Sequence, residues 1–377
     1  MNINSITIIL LYWYILKKNY MTRILFIGDP HIQVDNISDV ETLIRKLTDL
    51  ANKRKPDYII IAGDILHNHE RVHTLTLNKA YDMIDKLRLI ATTYILVGNH
   101  DYIQNQQFLT TNHWMNGLKE WSNVKIVDKV VTLYPDQNNK KYFVLLPYVP
   151  NGRFIEALDT IGEDNWKNAE CIFAHQEFKG CKMGSIISEH GDSWDENNPP
   201  VISGHIHSRQ KVGTNIYYPG AAMQHAYGES DINIIPYLTF FETLNYKCEE
   251  INLNLPRKRI VYIDIDDLNE NTINKYIKSA DKIKFTVNGC MNNRFKQFKK
   301  TNTYKQIVNS GSKIIFKPVI EKQNDESLVK EHSVISQSSF TQLLHHKIKR
   351  TNDDYIISAY DDIVNGIDIN PRDVMFV

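Results

Sequence analysis

Short apolar runs recur through the first two thirds of the chain, and five of them stop abruptly in small and polar residues. Arg23-Ile24-Leu25-Phe26-Ile27 runs into Gly28-Asp29-Pro30-His31, and Tyr58-Ile59-Ile60-Ile61-Ala62 into Gly63-Asp64-Ile65-Leu66-His67. Ile95-Leu96-Val97 runs into Gly98-Asn99-His100-Asp101, Cys171-Ile172-Phe173-Ala174 into His175, and Val201-Ile202-Ser203 into Gly204-His205-Ile206-His207. A continuous apolar run of this length predicts a strand covered on both faces, with its polar tail at the carboxyl end. Between the first three runs, Val40, Leu43, Ile44, Leu47 and Leu50, then Met83, Ile84, Leu87 and Ile90, repeat at helical spacing. From Met21 to Tyr102 this alternation predicts βαβ units and a largely parallel sheet.

Beyond Tyr102 the pattern shortens. Val130-Val131-Thr132-Leu133 and Tyr142-Phe143-Val144-Leu145-Leu146 read as strands around the turn-rich Pro135-Asp136-Gln137-Asn138-Asn139, followed by a helix near residues 152–161. Further strands are expected at Asn215-Ile216-Tyr217-Tyr218, Tyr237-Leu238-Thr239-Phe240-Phe241 and Cys248-Glu249-Glu250-Ile251. The expected architecture over residues 22–255 is α/β, two facing sheets with helices outside. A boundary at Leu255-Pro256 opens a small α/β domain, residues 256–322, with strands at 261–265, 283–287 and 313–316 and helices at 269–280 and 292–308. A polar linker, 323–337, precedes a helical pair over 338–366, striped by Phe340, Leu343, Leu344 and Ile348, then by Ile356, Ala359, Tyr360, Ile363 and Val364.

Residues 1–21 form an apolar leader ending near Lys17-Lys18, too short to span a bilayer and without the charge order or cleavage site of a signal peptide. A dispensable leader is the preferred reading and a peripheral anchor the alternative; no integral membrane span is expected.

Charge changes the picture locally. The 377 residues carry 44 Lys+Arg and 44 Asp+Glu, so no global field draws in a polyanion. Between residues 257 and 301, however, 11 Lys+Arg face 5 Asp+Glu, an excess of 11 − 5 = 6 that could meet nucleic acid. Within it, Arg294-Phe295-Lys296-Gln297-Phe298-Lys299-Lys300 interleaves cations and rings, as a phosphate grip or as an ordinary helix with Phe295 and Phe298 buried. Cys171, Cys181, Cys248 and Cys290 are irregularly spaced and read as reduced thiols of an intracellular protein.

The polar tails carry the chemistry. Asp29, His31, Asp64, Asn99, His175, His205 and His207 form a mixed nitrogen and oxygen set without thiolate, suited to manganese, iron or zinc. Seven ligands exceed one ion with an open position and suit two ions sharing a carboxylate. Extended backbone at His205-Ile206-His207 would put both imidazoles on one side, and His100 would stand beside Asn99 with Asp101 behind it. His113, His190, His225, His332, His345 and His346 read as ordinary histidines.

Asp29-Pro30-His31, Gly63-Asp64, Gly98-Asn99-His100-Asp101, His175 and Gly204-His205-Ile206-His207, in this order, resemble the motif set of the calcineurin-like metallophosphoesterases. His67, three residues after Asp64, and Tyr218-Pro219-Gly220-Ala221-Ala222-Met223-Gln224 followed by Tyr227-Gly228-Glu229 resemble the SbcD-type DNA repair nucleases and their phage counterparts. Arg71-Val72-His73-Thr74 and Ala221 stand where that family often has Pro-Ser and a serine. The resemblance implies a four-layer αββα sandwich, followed by a capping domain and a helical segment that docks a coiled-coil SMC-like ATPase. It implies two divalent ions, manganese first: Asp29, His31 and His207 on one, Asn99, His175 and His205 on the other, Asp64 bridging. It also implies His100 as catalytic, oriented by Asp101, and His67 as a positioner of the nucleotide. The expected activity is a DNA exonuclease and single-strand endonuclease, with a homodimer also allowed. The alternatives are a phosphomonoesterase or protein phosphatase of the same superfamily, and a non-catalytic scaffold.

Overall fold

A computed structural model describes residues 21–69, 71–135, 141–230, 232–241, 246–289 and 292–318, with 348, 349, 357 and 360. Most of the leader, the linker and nearly all of the expected terminal helical pair therefore lie outside the described residues. One compact unit holds the chain to Asn288 together with Phe295–Lys317; Gly289–Arg294 and Pro318–Val377 form a second.

The first sheet grows from the early apolar runs. β1 (Thr22–Ile27), β2 (Tyr58–Ile61), β3 (Thr92–Leu96) and β4 (Val124–Val127) pair in parallel, in that order. α1 (Ile37–Arg54) and α2 (Thr74–Arg88) are the crossovers. α1 buries Val40, Leu43, Ile44, Leu47, Leu50 and Ala51, the stripe its spacing dictates, and stops at Lys55, which turns left-handed at φ 48° and returns its N–H to the Ala51 carbonyl. His73 caps α2, its ring nitrogen accepting the Leu75 N–H.

β5 (Val131–Leu133), β6 (Phe143–Leu145), α3 (Phe154–Leu158), β7 (Cys171–His175), the small hairpin of β8 (Lys182–Met183) and β9 (Ile186–Ile187), β10 (Val201–Gly204), β11 (Gln210–Val212) and β12 (Ile216–Tyr218) follow. They form a second six-stranded sheet in the order β11-β12-β10-β7-β6-β5, parallel at its centre and antiparallel at both ends. β13 (Ile234–Phe240) and β14 (Tyr246–Asn252) then return antiparallel to β1 and complete the first sheet as β14-β13-β1-β2-β3-β4.

One buried cluster joins the two sheets: Ile24, Phe26, Ile60 and Leu96 from the first meet Phe143, Leu145, Phe173, Ile202 and Tyr217 from the second. The outer face of the first sheet is covered by α1 and α2, and that of the second by α3 and its loops. Strands buried on both faces explain why their sequences are continuously apolar instead of alternating.

A third sheet, β15 (Lys258–Asp264), β16 (Lys282–Gly289) and β17 (Lys313–Pro318), carries α4 (Glu270–Ile277), α5 (Asn292–Phe298) and α6 (Asn302–Asn309) around its own cluster of Val261, Ile273, Phe285, Val287 and Ile307. The single helix expected over 292–308 is two, because Thr301 breaks out and caps α6 by accepting the Tyr304 N–H on its hydroxyl. Phe295 and Phe298 are buried while Lys296, Lys299 and Lys300 are exposed, the ordinary-helix pattern. Among the described residues no helix is long and apolar enough to cross a membrane.

Candidate metal centre

The five polar tails converge because both sheets present the carboxyl ends of β1, β2, β3, β7 and β10 at one edge of the shared core. Close backbone approach there selects glycine. A Cβ on Gly28 would lie 2.2 Å from the Gly220 carbonyl oxygen, and one on Gly98 would lie 2.2 Å from the Asp64 carboxylate. Three residues with side chains, His31 (φ 41°), Asp64 (φ 48°) and His205 (φ 78°), hold left-handed backbone in the same place, a local strain that the surrounding core must maintain.

The positive φ of His205 corrects one expectation. The strand ends at Gly204, so His205-Ile206-His207 is not extended and no alternation aligns its imidazoles. They still reach the cluster separately, His205 Nδ1 lying 3.0 Å from Asn99 Oδ1 and His207 Nε2 3.1 Å from His31 Nε2. Asp64 Oδ2 lies 3.4 Å from both His31 Nε2 and His175 Nε2, and His175 Nε2 lies 3.0 Å from Asn99 Oδ1. Asp29 Oδ1 accepts the His205 N–H at 3.1 Å, while its Oδ2 is buried without a partner. All seven expected ligands thus gather, with Asp64 between the His31 and His175 sides.

This donor set fits divalent cations on its own chemistry. His175 commits Nδ1–H to the Ala62 carbonyl at 2.7 Å, so in the neutral ring Nε2 points a lone pair at two further acceptors, Asn99 Oδ1 and Asp64 Oδ2. His31 and His207 likewise turn nitrogens on each other. Lone pairs converging in a buried site require a positive centre between them. The protein's field asks for the same charge: burial opposes protonation of His175, yet Asp64 and Asp29 push its pKa up to about 9. Burial also works against the Asp64 carboxylate, but the surrounding histidines hold its pKa well below the usual range. Burial keeps His31 and His205 neutral, His205 down to about 3, as ligands must be. Two groups, His31/His67/His100 and Asp64/His175/His205, place their ligand atoms within 4.8 Å of one another.

His100 stands beside these ligands and is held by a partner other than the one expected. Its Nδ1–H donates to the His67 carbonyl at 2.6 Å, which leaves Nε2 for chemistry. Asp101 does not orient it. That carboxylate accepts the N–H groups of Gly98 (3.0 Å), Ile65 (3.2 Å) and Leu66 (3.5 Å) and the Trp114 indole (2.9 Å). Three backbone N–H groups and an indole occupy this carboxylate, so Asp101 ties the β2 and β3 loops together instead. Its burial beside Asp64 raises its pKa to about 7. His67 lies 3.3 Å from His31, nitrogen to nitrogen, and an open groove of about 720 Å³ borders Asn68, His69, Arg71 and Gln104 nearby.

Two further residues, to which the sequence alone assigns no role, join the cluster. His225, read as ordinary, packs edge-on to His31 and His207 with ring centroids 4.9 and 5.0 Å away, and its Nε2–H donates to the Asp29 carbonyl at 2.9 Å. Glu229 Oε1 faces His207 Nδ1 at 3.3 Å, while its Oε2 accepts the N–H groups of His225 and Ala226. A carboxylate behind a ligating histidine fixes its tautomer and orientation. Burial works against this charge, but those hydrogen bonds bring the Glu229 pKa down to about 2. The Gly228-Glu229 pair was a visible signal for it; His225 offered none.

Fold and site together define a metal-dependent phosphoester hydrolase. Residues 22–209 match the model of the calcineurin-like phosphoesterases, and the chain belongs to that family. It is 41% identical over 340 residues to protein 078R of Invertebrate iridescent virus 3, spanning 89% of this chain and 95% of that one. With protein 244L of Invertebrate iridescent virus 6 it shares 46% identity over 282 residues, 74% of this chain and 97% of the relative. Both relatives are named as proposed phosphoesterases. GAP50, the anchor in the inner membrane complex of Plasmodium, is a solved structure aligned over 62% of this chain and 85% of its own, at 11% identity and TM-score 0.41.

Proposed function

We propose that this phosphoesterase is a two-metal DNA phosphodiesterase, an exonuclease and single-strand endonuclease of the SbcD type working with a coiled-coil SMC-like ATPase. The observation that favours a polyanion over a small monoester is the reach of the basic third sheet toward the site. Lys258 Nζ donates to the His225 carbonyl at 2.6 Å, and Lys284 and Lys313 flank the Tyr227 ring at 5.6 and 5.7 Å from its centroid. Tyr227 lies on the same loop as Glu229, the partner of His207, so cations border the segment that holds a metal ligand. In this reading residues 256–322 are the capping domain, and 338–366 the docking pair.

Asp29, His31 and His207 would hold one ion, Asn99, His175 and His205 the second, and Asp64 would touch both. Bound there, divalent ions neutralise charge on phosphate oxygens and make a water acidic enough to lose its proton at neutral pH. Glu229 orients His207, and His225 walls the His31 side. His100, fixed through Nδ1 by the His67 carbonyl, presents Nε2 to the departing sugar oxygen and protonates it as the P–O bond breaks. His67 positions the nucleotide. The three described cysteines, Cys171, Cys181 and Cys248, are free, which suits an intracellular setting.

The test is manganese-dependent digestion of end-labelled single-stranded and duplex DNA by the wild type and by His100→Ala. Both proteins should take up manganese and only the wild type should release nucleotides. Faster turnover of phosphomonoesters than of DNA by the wild type would move the function to a phosphatase, which would use the same ligands. Uptake without turnover of either substrate would leave a scaffold.

A further inference from the structure

A hydrogen bond to one nitrogen does not fix an imidazole. His100 donates Nδ1–H to the His67 carbonyl at 2.6 Å, and about that axis its ring remains free to tilt, carrying Nε2 off the line of the departing oxygen. Proton transfer in a transition state is sensitive to that line, because donor and acceptor must lie within hydrogen-bond reach and in alignment. Something must hold the plane of the ring.

The structure supplies a second imidazole for this. His69 stacks on His100 with ring centroids 4.6 Å apart and planes 18° from parallel. It is closer than His67, which lies 5.4 Å away at the same 18°. His31 meets the His100 ring nearly perpendicular, at 4.8 Å and 86°. His69 is itself anchored: its Nδ1–H donates to the Tyr102 carbonyl at 3.3 Å, and Tyr102 is fully buried in the main cluster. The short loop after β2 therefore fixes His100 twice, by the carbonyl of residue 67 and by the ring of residue 69.

We propose that His69 is a positioning residue that sets the plane of the His100 imidazole for protonation of the leaving group. This rests on reading His100 as the proton donor. In this step a water oxygen bonds to phosphorus, its proton going to solvent, as the P–O bond to the sugar breaks; the electron pair of the broken bond stays on the departing oxygen, and the proton on His100 Nε2 passes to that oxygen. His69 touches neither substrate nor ligand set in this role; it acts through His100. A misplaced donor matters most when the leaving oxygen is a poor one, such as a sugar alkoxide, and least when it is a nitrophenolate that departs unaided.

The experiment compares kcat on the dinucleotide TpT and on the p-nitrophenyl ester of thymidine 5′-phosphate, with manganese, for wild type, His69→Ala, His69→Gln, His69→Phe and His100→Ala. His69→Ala and His69→Gln should lower kcat on TpT by about 10- to 100-fold, with a several-fold smaller loss on the nitrophenyl ester and little change in KM. His69→Phe keeps a flat ring on His100 and should recover most of the loss, although it cannot donate to Tyr102. Equal losses on both substrates, no loss, or recovery by Gln instead of Phe would overturn the inference. His100→Ala separates the two levels: its own loss should be far greater on TpT, and equal losses there would remove His100 as the proton donor, whatever His69 does. Manganese uptake and thermal melting of each variant identify a fold defect, and the Phe variant carries the comparison if Ala does not fold.

Discussion

The metal end of the two large sheets and the small third sheet are built on opposite terms. At the metal end Asp29, His31, Asp64, Asn99 and His175 are buried polar groups, and three residues with side chains hold left-handed backbone. In the third sheet the buried set is almost wholly apolar, Thr286 being the buried polar residue among those described, and the left-handed residue is Gly311. The first region concentrates charge and strain, which the shared core between the sheets must support. The second is an ordinary packing solution. Left-handed backbone also occurs at loop positions such as Lys55, Asn123 and Asp164, but at His31, Asp64 and His205 it coincides with buried or half-buried polar groups that converge, and the two regions should respond differently to substitution.

The largest contrast is expected at Asp64. Asp64→Asn removes the charge between the two ligand groups and should lower manganese-dependent turnover of a nitrophenyl phosphodiester by about 10³-fold or more, with fewer ions bound per chain by elemental analysis. Near-normal turnover would deny the shared-carboxylate arrangement. In the third sheet, Phe285→Ala should cost about 3–5 kcal/mol of that sheet's stability by cavity formation, seen in denaturant unfolding. Its effect on nitrophenyl turnover at low temperature should be slight; loss of turnover in step with stability would mean the two regions unfold as one. Gly28→Ala puts a methyl 2.2 Å from the Gly220 carbonyl and should cost about 1–3 kcal/mol as the seam between the sheets shifts, lowering turnover with it.

The smallest expected effect tests a buried polar group away from the ligands. Asp128 accepts His113 Nε2–H at 3.2 Å and Lys119 Nζ at 2.5 Å. Burial works to raise its pKa, but those hydrogen bonds prevail and hold it below the usual carboxylate value. A depressed carboxylate stabilises the fold above its unfolded pKa of about 4, and that contribution disappears as pH falls through the folded value. Asp128→Asn should therefore cost about 1–2 kcal/mol near pH 7, discounted for the exposure of Lys119, with the gap to wild type closing below about pH 4. A gap that does not change between pH 7 and pH 3.5 in denaturant titrations would show that the carboxylate's charge is immaterial.

Much of this was legible in the chain because the information is local. Apolar runs buried on both faces announce β1, β2, β3, β7 and β10, and the stripe of α1 announces its buried side. A strand that ends in glycine and a ligand carries its chemistry in one short stretch, so Asp29, His31, Asp64, Asn99, His175, His205 and His207 could be picked out before any contact was known. His225 could not, because nothing beside it in sequence distinguishes it; its place depends on a carbonyl 196 residues earlier. The role of Asp101 was misread for a related reason. Adjacency to His100 suggests contact, whereas the carboxylate is occupied by N–H groups of Ile65, Leu66 and Trp114 that only the folded loops bring to it.

Residue types and their spacing by themselves determined where the main buried strands and striped helices fall and the donor atoms offered at each strand end, since periodicity records burial one element at a time; the short strands β8, β9 and β11 bury too little to show in it. Tertiary structure alone decided which donors face each other, which side chains accept left-handed backbone, and that His69 and the His67 carbonyl share the restraint of His100. Those outcomes depend on where loops separated by tens to hundreds of residues meet across two sheets, and no local pattern encodes such a meeting.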